Sequence, residues 1–187
     1  MNDFKGRVLA LLGKLGVEKL EPEIYGNAKC FGKSKIFEKG FDHILFDGAT
    51  ASEIDLWERE SQLKIPWEHR QFILQVNGVI LGLGEISVYG VPKVQSHGSG
   101  NRQPFDLIEP NMLSKPYWLR PDSFIVGSCS SDGSYLVHRA ISGGFYVARQ
   151  HKRTGRQIEA FENLPEALEK IMLDTASPQR SGASLSS

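Results

Sequence analysis

Ile65-Pro66-Trp67-Glu68-His69-Arg70-Gln71-Phe72-Ile73-Leu74 leads into Val76-Asn77-Gly78 and, after a short apolar run, into Val88-Tyr89-Gly90. This stretch decides the fold. Proline opens a helix readily, because its missing N–H is one the first turn leaves unpaired anyway. Phe72, Ile73 and Val76 make an apolar stripe on that helix. Gly78 is its predicted stop, since glycine takes the left-handed conformation at no steric cost. Val79 to Leu83 is apolar and Glu85 to Tyr89 alternates, so strands are expected after the helix. Nothing in the stretch is an obvious catalytic group.

Upstream, Thr50-Ala51-Ser52-Glu53 spells a capping box, with the threonine hydroxyl and the glutamate each satisfying a free amide. Ile54, Trp57 and Ser61 then share one helical face, with Leu56 and Leu63 beside it. Phe4, Val8, Leu11, Leu12 and Leu15 recur at helical spacing near the N-terminus, and Gly16 can end that helix. Residues 17–43 are punctuated by glycine and give no clear pattern. Ile44-Leu45-Phe46 reads as a short strand or packed loop before an Asp47-Gly48 turn.

Downstream, residues 91–122 hold five of the nine prolines and read as a long irregular insertion, a natural binding surface. Ser123–Val126, Ser134–His138 and Gly144–Arg149 are predicted strands. Asp132-Gly133 and Ser142-Gly143-Gly144 supply turns between them, so an antiparallel meander is expected. Ile158 to Phe161 adds a last strand. Asn163-Leu164-Pro165-Glu166 then starts a helix with Leu164, Leu168, Ile171 and Met172 on its buried face. Residues 174–187 are rich in Ser, Gly and Ala and read as a disordered tail. The order of elements gives an α+β domain with a mostly antiparallel sheet and flanking helices.

The 187 residues suit one domain with a self-sufficient core. Lys plus Arg equals Asp plus Glu, so no global charge draws the chain to nucleic acid or an anionic membrane. Cys30 and Cys129 form no CxxC pair, which suits two free thiols in a reducing compartment such as the cytoplasm.

Four features invite a chemical reading. Gly82-Leu83-Gly84 lacks the third glycine and the following helix of a phosphate loop, so a turn is expected. Gly127-Ser128-Cys129-Ser130-Ser131 fails the GxSxG pattern, although Asp132 and His138 nearby leave a remote serine-hydrolase reading. His43, His69, His97, His138 and His151 show no metal-ligand spacing. Arg139, Arg149, Lys152, Arg153 and Arg156, with Phe145 and Tyr146 interleaved, form a basic run that reads as a protected sheet edge rather than a nucleic-acid patch. No catalytic residue, cofactor or metal is therefore expected. Acidic residues cluster at Glu53, Asp55, Glu58 and Glu60, and again at Glu159, Glu162, Glu166 and Glu169. Such faces are ordinarily just solvated; they can also steer a basic partner.

The acidic helix, Ile65-Pro66, Phe72-Ile73, Asn77-Gly78, Tyr89-Gly90, the glycine-rich meander and Phe161 before a leucine-rich helix resemble the SUKH superfamily, which includes regulators of the Smi/Knr type. The likeness covers residues 44–173, leaving residues 1–43 as an N-terminal helix and extension and 174–187 as the tail. The resemblance implies a non-enzymatic binding domain in which Ile54, Trp57, Pro66, Phe72, Asn77 and Gly78 determine the fold. It further implies an immunity-type module that occludes a cognate toxin, often a secreted nuclease, or alternatively an intracellular regulatory scaffold. For a basic partner, Glu53, Glu58, Glu60 and the 91–122 loop are the expected contacts.

Overall fold

The computed structural model describes residues 3–17, 20–33, 40–92 and 103–176. Helix α1 (Phe4–Lys14) is capped by the Asp3 carboxylate, which accepts from the Gly6 amide at 2.8 Å. It buries Phe4, Val8, Leu11 and Leu12, the stripe read from sequence. Three strands follow: β1 (Glu23–Tyr25), β2 (Ala28–Lys33) and β3 (Phe41–Asp47). The first two were not expected. They make a hairpin in which Tyr25 pairs with Ala28 across Gly26-Asn27, Gly26 taking φ +60°. Because β2 pairs with β3, residues 23–33 belong to the same sheet as the strands that follow.

Helix α2 (Ala51–Ser61) carries the capping box as read: Glu53 N–H donates to Thr50 Oγ1 at 3.2 Å, and Thr50 N–H to Glu53 Oε2 at 2.7 Å. Pro66 sits just ahead of α3 (Trp67–Gln75), whose amides it leaves unblocked. Gly78 is a correction. The helix has already ended at Gln75, because Val76 is extended, and Gly78 lies inside β4 (Val76–Leu81). Its φ of +100° serves a close approach instead: a Cβ there would stand 2.9 Å from the Val88 carbonyl oxygen and 2.9 Å from Pro104 Cβ. Beside it, the buried Asn77 imitates a strand neighbour, donating to the Val91 carbonyl at 2.7 Å and accepting from the Val91 amide at 2.8 Å.

A tight turn over Gly82–Gly84 joins β4 to β5 (Ile86–Val88). The meander β6 (Ser123–Cys129), β7 (Ser134–Ile141), β8 (Gly144–His151) and β9 (Gln157–Phe161) follows. Helix α4 (Leu164–Ala176) closes the described chain, with Asn163 Oδ1 accepting from the Glu166 amide at 3.0 Å. Residues 174–176 are helical rather than tail, and 177–187 lie outside the described residues. Among the described residues nine strands pair antiparallel in sequence order, β1 to β9, so the fold is α+β.

One face of the sheet carries the main core. Phe4, Leu12, Ile54, Trp57, Phe72, Ile73, Leu168 and Ile171 from the helices meet Val79, Leu81, Ile86, Val126, Leu136 and Val147 from the strands. Alternation sends the intervening residues to the other face. There Ala28, Cys30, Ile44 and Phe46 form one small cluster, and Leu119, Ile125, Tyr135 and Val137 form another.

Candidate protein-binding surface

The segment between β5 and β6, expected to be irregular, is packed firmly from residue 103 onward. Gly90 bridges in parallel to Asp106, whose Oδ1 accepts from Trp57 Nε1 at 3.2 Å and from the Ile108 amide at 3.0 Å. Leu107 is wholly buried. A short π-helical turn spans Glu109–Leu113, and its buried Asn111 clamps β6. The Asn111 amide donates to the Ile125 carbonyl at 2.8 Å, and its Oδ1 accepts from the Ile125 N–H at 2.8 Å. Asn77 thus ties the start of this strap to the sheet, and Asn111 ties its interior. Residues 93–102, with His97, lie outside the described residues.

On this fixed mount stand four exposed apolar side chains: Phe105 (53%), Met112 (55%), Leu113 (69%) and Tyr117 (89%). Phe105 meets the Tyr89 ring edge-on, with centroids 6.1 Å apart, yet still leaves half of its surface open. Phe105 and Tyr117 border a cleft of about 590 Å³ that continues over Tyr89, Trp118 and Tyr135 to Lys152 and Arg153, with Asp106 and Glu109 on its acidic side. Trp118 Nε1 donates to the Lys152 carbonyl at 2.9 Å, and Lys152 Nζ lies 5.0 Å from the Tyr135 ring centre. Gly155 permits this docking; a Cβ there would fall 2.6 Å from the Trp118 indole. Burial pushes the Tyr89 phenol up to about 12, against a hydrogen bond with Ser128 that lowers it, so the cleft floor is neutral.

The acidic contacts expected from sequence are placed differently. Glu58 is 8% exposed and structural: it accepts from the Ile65 amide at 3.0 Å and from Lys64 at 3.0 Å. Arg70 approaches Glu58 at 3.6 Å and pairs with Asp55 at 2.6 Å. Glu53 is engaged in the capping box, which leaves Glu60 as the exposed member of the expected trio. The basic run is also divided. Arg149 pairs with Asp132 at 2.7 Å, while Lys152 turns into the cleft.

Ser128, Asp132 and His138 are not brought together. Ser128 pairs in register with Tyr135 and bonds Tyr89, whereas Asp132 accepts from Ser134 and Arg149. His138 follows Leu136 onto the main-core face and lies 3.0 Å from Glu68. His43 accepts from the Gly82 amide at 3.3 Å, and His151 contacts Thr154 at 3.3 Å. Among the described residues no cluster of three metal-ligating side chains occurs. None of their helices is long and apolar enough to cross a membrane.

The strap's exposed ridge escaped sequence reasoning because proline and glycine in 91–122 mask its apolar residues, which have no period. The one available signal was composition: Phe105, Met112, Leu113, Tyr117 and Trp118 within a supposed loop. No family model matches this chain, and no curated protein matches it in sequence.

Proposed function

We propose that the chain is a protein-binding module that acts by covering its partner, with no turnover of its own. The exposed ridge of Phe105, Met112, Leu113 and Tyr117 on a strap fixed by Asn111 carries this reading. Aromatic residues and methionine are enriched where proteins meet, and a few well-placed anchors hold most of the binding energy. A backbone already ordered in the free state loses little entropy on binding. The likeness to the SUKH superfamily suggests the partner class, a toxin neutralised by occlusion in an immunity-type pair. The buried cysteines Cys30 and Cys129 suit the reducing cytoplasm where such a pair would operate. The reading assigns no direct role to nucleic acid or membrane.

A regulatory scaffold is the second reading. It is favoured by the burial of Glu58 and the pairing of Asp55 with Arg70, which leave less uncompensated acidic surface for a basic nuclease. Affinity capture with the intact chain, followed by titration of the captured protein, tests both. A Leu113→Asp, Tyr117→Ala double variant should keep the wild-type melting temperature and lose about a hundredfold or more in affinity, as for hot-spot anchors. Neutralisation of a captured toxin supports immunity, and capture of a non-toxic cellular protein supports the scaffold. Undiminished binding by the double variant refutes the ridge as the contact surface.

A further inference from the structure

Away from the strap, α3, β6, β7, β8 and the start of α4 enclose a cavity of about 530 Å³. Its walls are largely apolar, with Phe72 and Phe145 among them and Trp67, 64% exposed, also on its lining. Such a volume with a few polar groups fits a small molecule. Among the described residues no lysine or arginine lines it. At its edge the Arg7 guanidinium donates to the lining residue Asn163 at 3.3 Å.

His69 supplies the decisive detail. It is 2% exposed, and its Nε2 lies 3.1 Å from the Tyr89 carbonyl. A carbonyl only accepts, so Nε2 carries the proton and Nδ1 keeps a bare lone pair. That Nδ1 is buried and has no hydrogen-bond partner among the described residues. An orphaned buried acceptor in a cavity-lining residue requires a reason, since leaving it unpaired is unfavourable. Next to it, Glu68 accepts from His138 Nε2 at 3.0 Å, and His138 stacks on Phe145 with ring centres 4.7 Å apart. Burial lowers the His138 pKa despite the Glu68 carboxylate, so at neutral pH the imidazole donates without cancelling the negative charge. The cavity therefore presents one anionic carboxylate, one unmatched acceptor and aromatic faces.

We propose that this cavity binds a small organic cation: an ammonium on a compact aromatic body, with Glu68 as its counter-ion, His69 Nδ1 as acceptor for an N–H, and Trp67 and Phe145 as aromatic walls. A charge-assisted hydrogen bond to Glu68 and attraction between the cation and the ring faces supply the selectivity. The proposal is independent of the strap and of the partner that it binds.

Titration of the full chain with 2-phenylethylammonium, 2-phenylethanol and 3-phenylpropanoate tests it by calorimetry and histidine ¹⁵N shifts. The ammonium should bind at least about tenfold more tightly than the alcohol, with the carboxylate weakest. Glu68→Gln should erase that preference while leaving the melting temperature in place. His69→Gln should weaken the ammonium alone. Should that variant fail to fold, movement of the wild-type His69 Nδ1 resonance on adding the ammonium supplies the same information. Equal binding of ammonium and alcohol, an unaffected Glu68→Gln variant, a static His69 resonance, or no binding of any probe would each overturn the proposal.

Discussion

Mild acid should destabilise this protein through His69. In the folded chain, burial first, and then the neighbouring His138, pushes the imidazole down to about 3 from 6.5, against the Tyr89 carbonyl that raises it. The unfolded chain takes up a proton near pH 6.5 and the folded chain near pH 3, so the unfolded state binds more protons throughout that window. Stability from this group is thus complete above pH 6.5 and falls as the pH drops. Between pH 7 and pH 5 the loss comes to about 2 kcal/mol. That is about 4–8 °C of melting temperature for a domain of this size. His43 and His138 are also held below their ordinary values, chiefly by burial, and act in the same direction. Urea unfolding at pH 7, 6 and 5 and constant ionic strength, followed by tryptophan fluorescence, measures the total. His69→Gln cannot titrate, yet can still donate to Tyr89, so its loss over the same range should be smaller by about 2 kcal/mol. Equal losses in the variant and the wild type, or a wild-type midpoint constant from pH 7 to 5, would refute the assignment of His69 as a buried neutral imidazole.

Two substitutions probe the corrections to the sequence reading. Gly78→Val should cost about 2–4 kcal/mol in urea unfolding, since it combines a positive φ with contacts near 2.9 Å; an unchanged midpoint would show that β4 relaxes freely. Glu58→Ala should cost about 1–3 kcal/mol by orphaning the Ile65 amide. Glu60→Ala, on the exposed side of the same helix, should stay within about 0.5 kcal/mol of the wild type; equal effects of the two would place Glu58 at the surface.

Features set by neighbouring residues were the ones legible in the sequence. The Thr50–Glu53 capping box, the Asn163 cap and the Asp132-Gly133 turn each rest on contacts a few residues apart, and each stands as read. The β1–β2 hairpin rests on an equally local Gly26-Asn27 turn, yet it was missed because its strands lack clean alternation. In β2, Ala28 and Cys30 face one cluster and Phe31 the other, with Lys29 between Ala28 and Cys30. Gly78 was read correctly for its backbone and wrongly for its place, because what demands it is Val88 and Pro104 rather than the helix before it. Glu58 and His69 were out of reach for the same reason. A carboxylate claimed by Ile65 and an imidazole held by Tyr89 look, in sequence, like any charged or polar residue on a helix.

The ladder order has a consequence for how the chain assembles. Every ladder joins strands consecutive in sequence, so β6 to β9 can zip from tight turns by themselves, and hairpins of this kind form within microseconds. The three-pair β5–β6 ladder instead waits for residues 89–122 to close a loop, at an entropic cost that grows with its length. Of the ladders in the sheet, this one spans the longest gap in sequence, and the strap crosses it. The Asn111 clamp and the Trp57–Asp106 bond are the stitches that lock it. A partner seated on Phe105, Met112, Leu113 and Tyr117 would therefore grip the chain beside its longest-range strand pairing, and occupancy of that surface should slow unfolding itself.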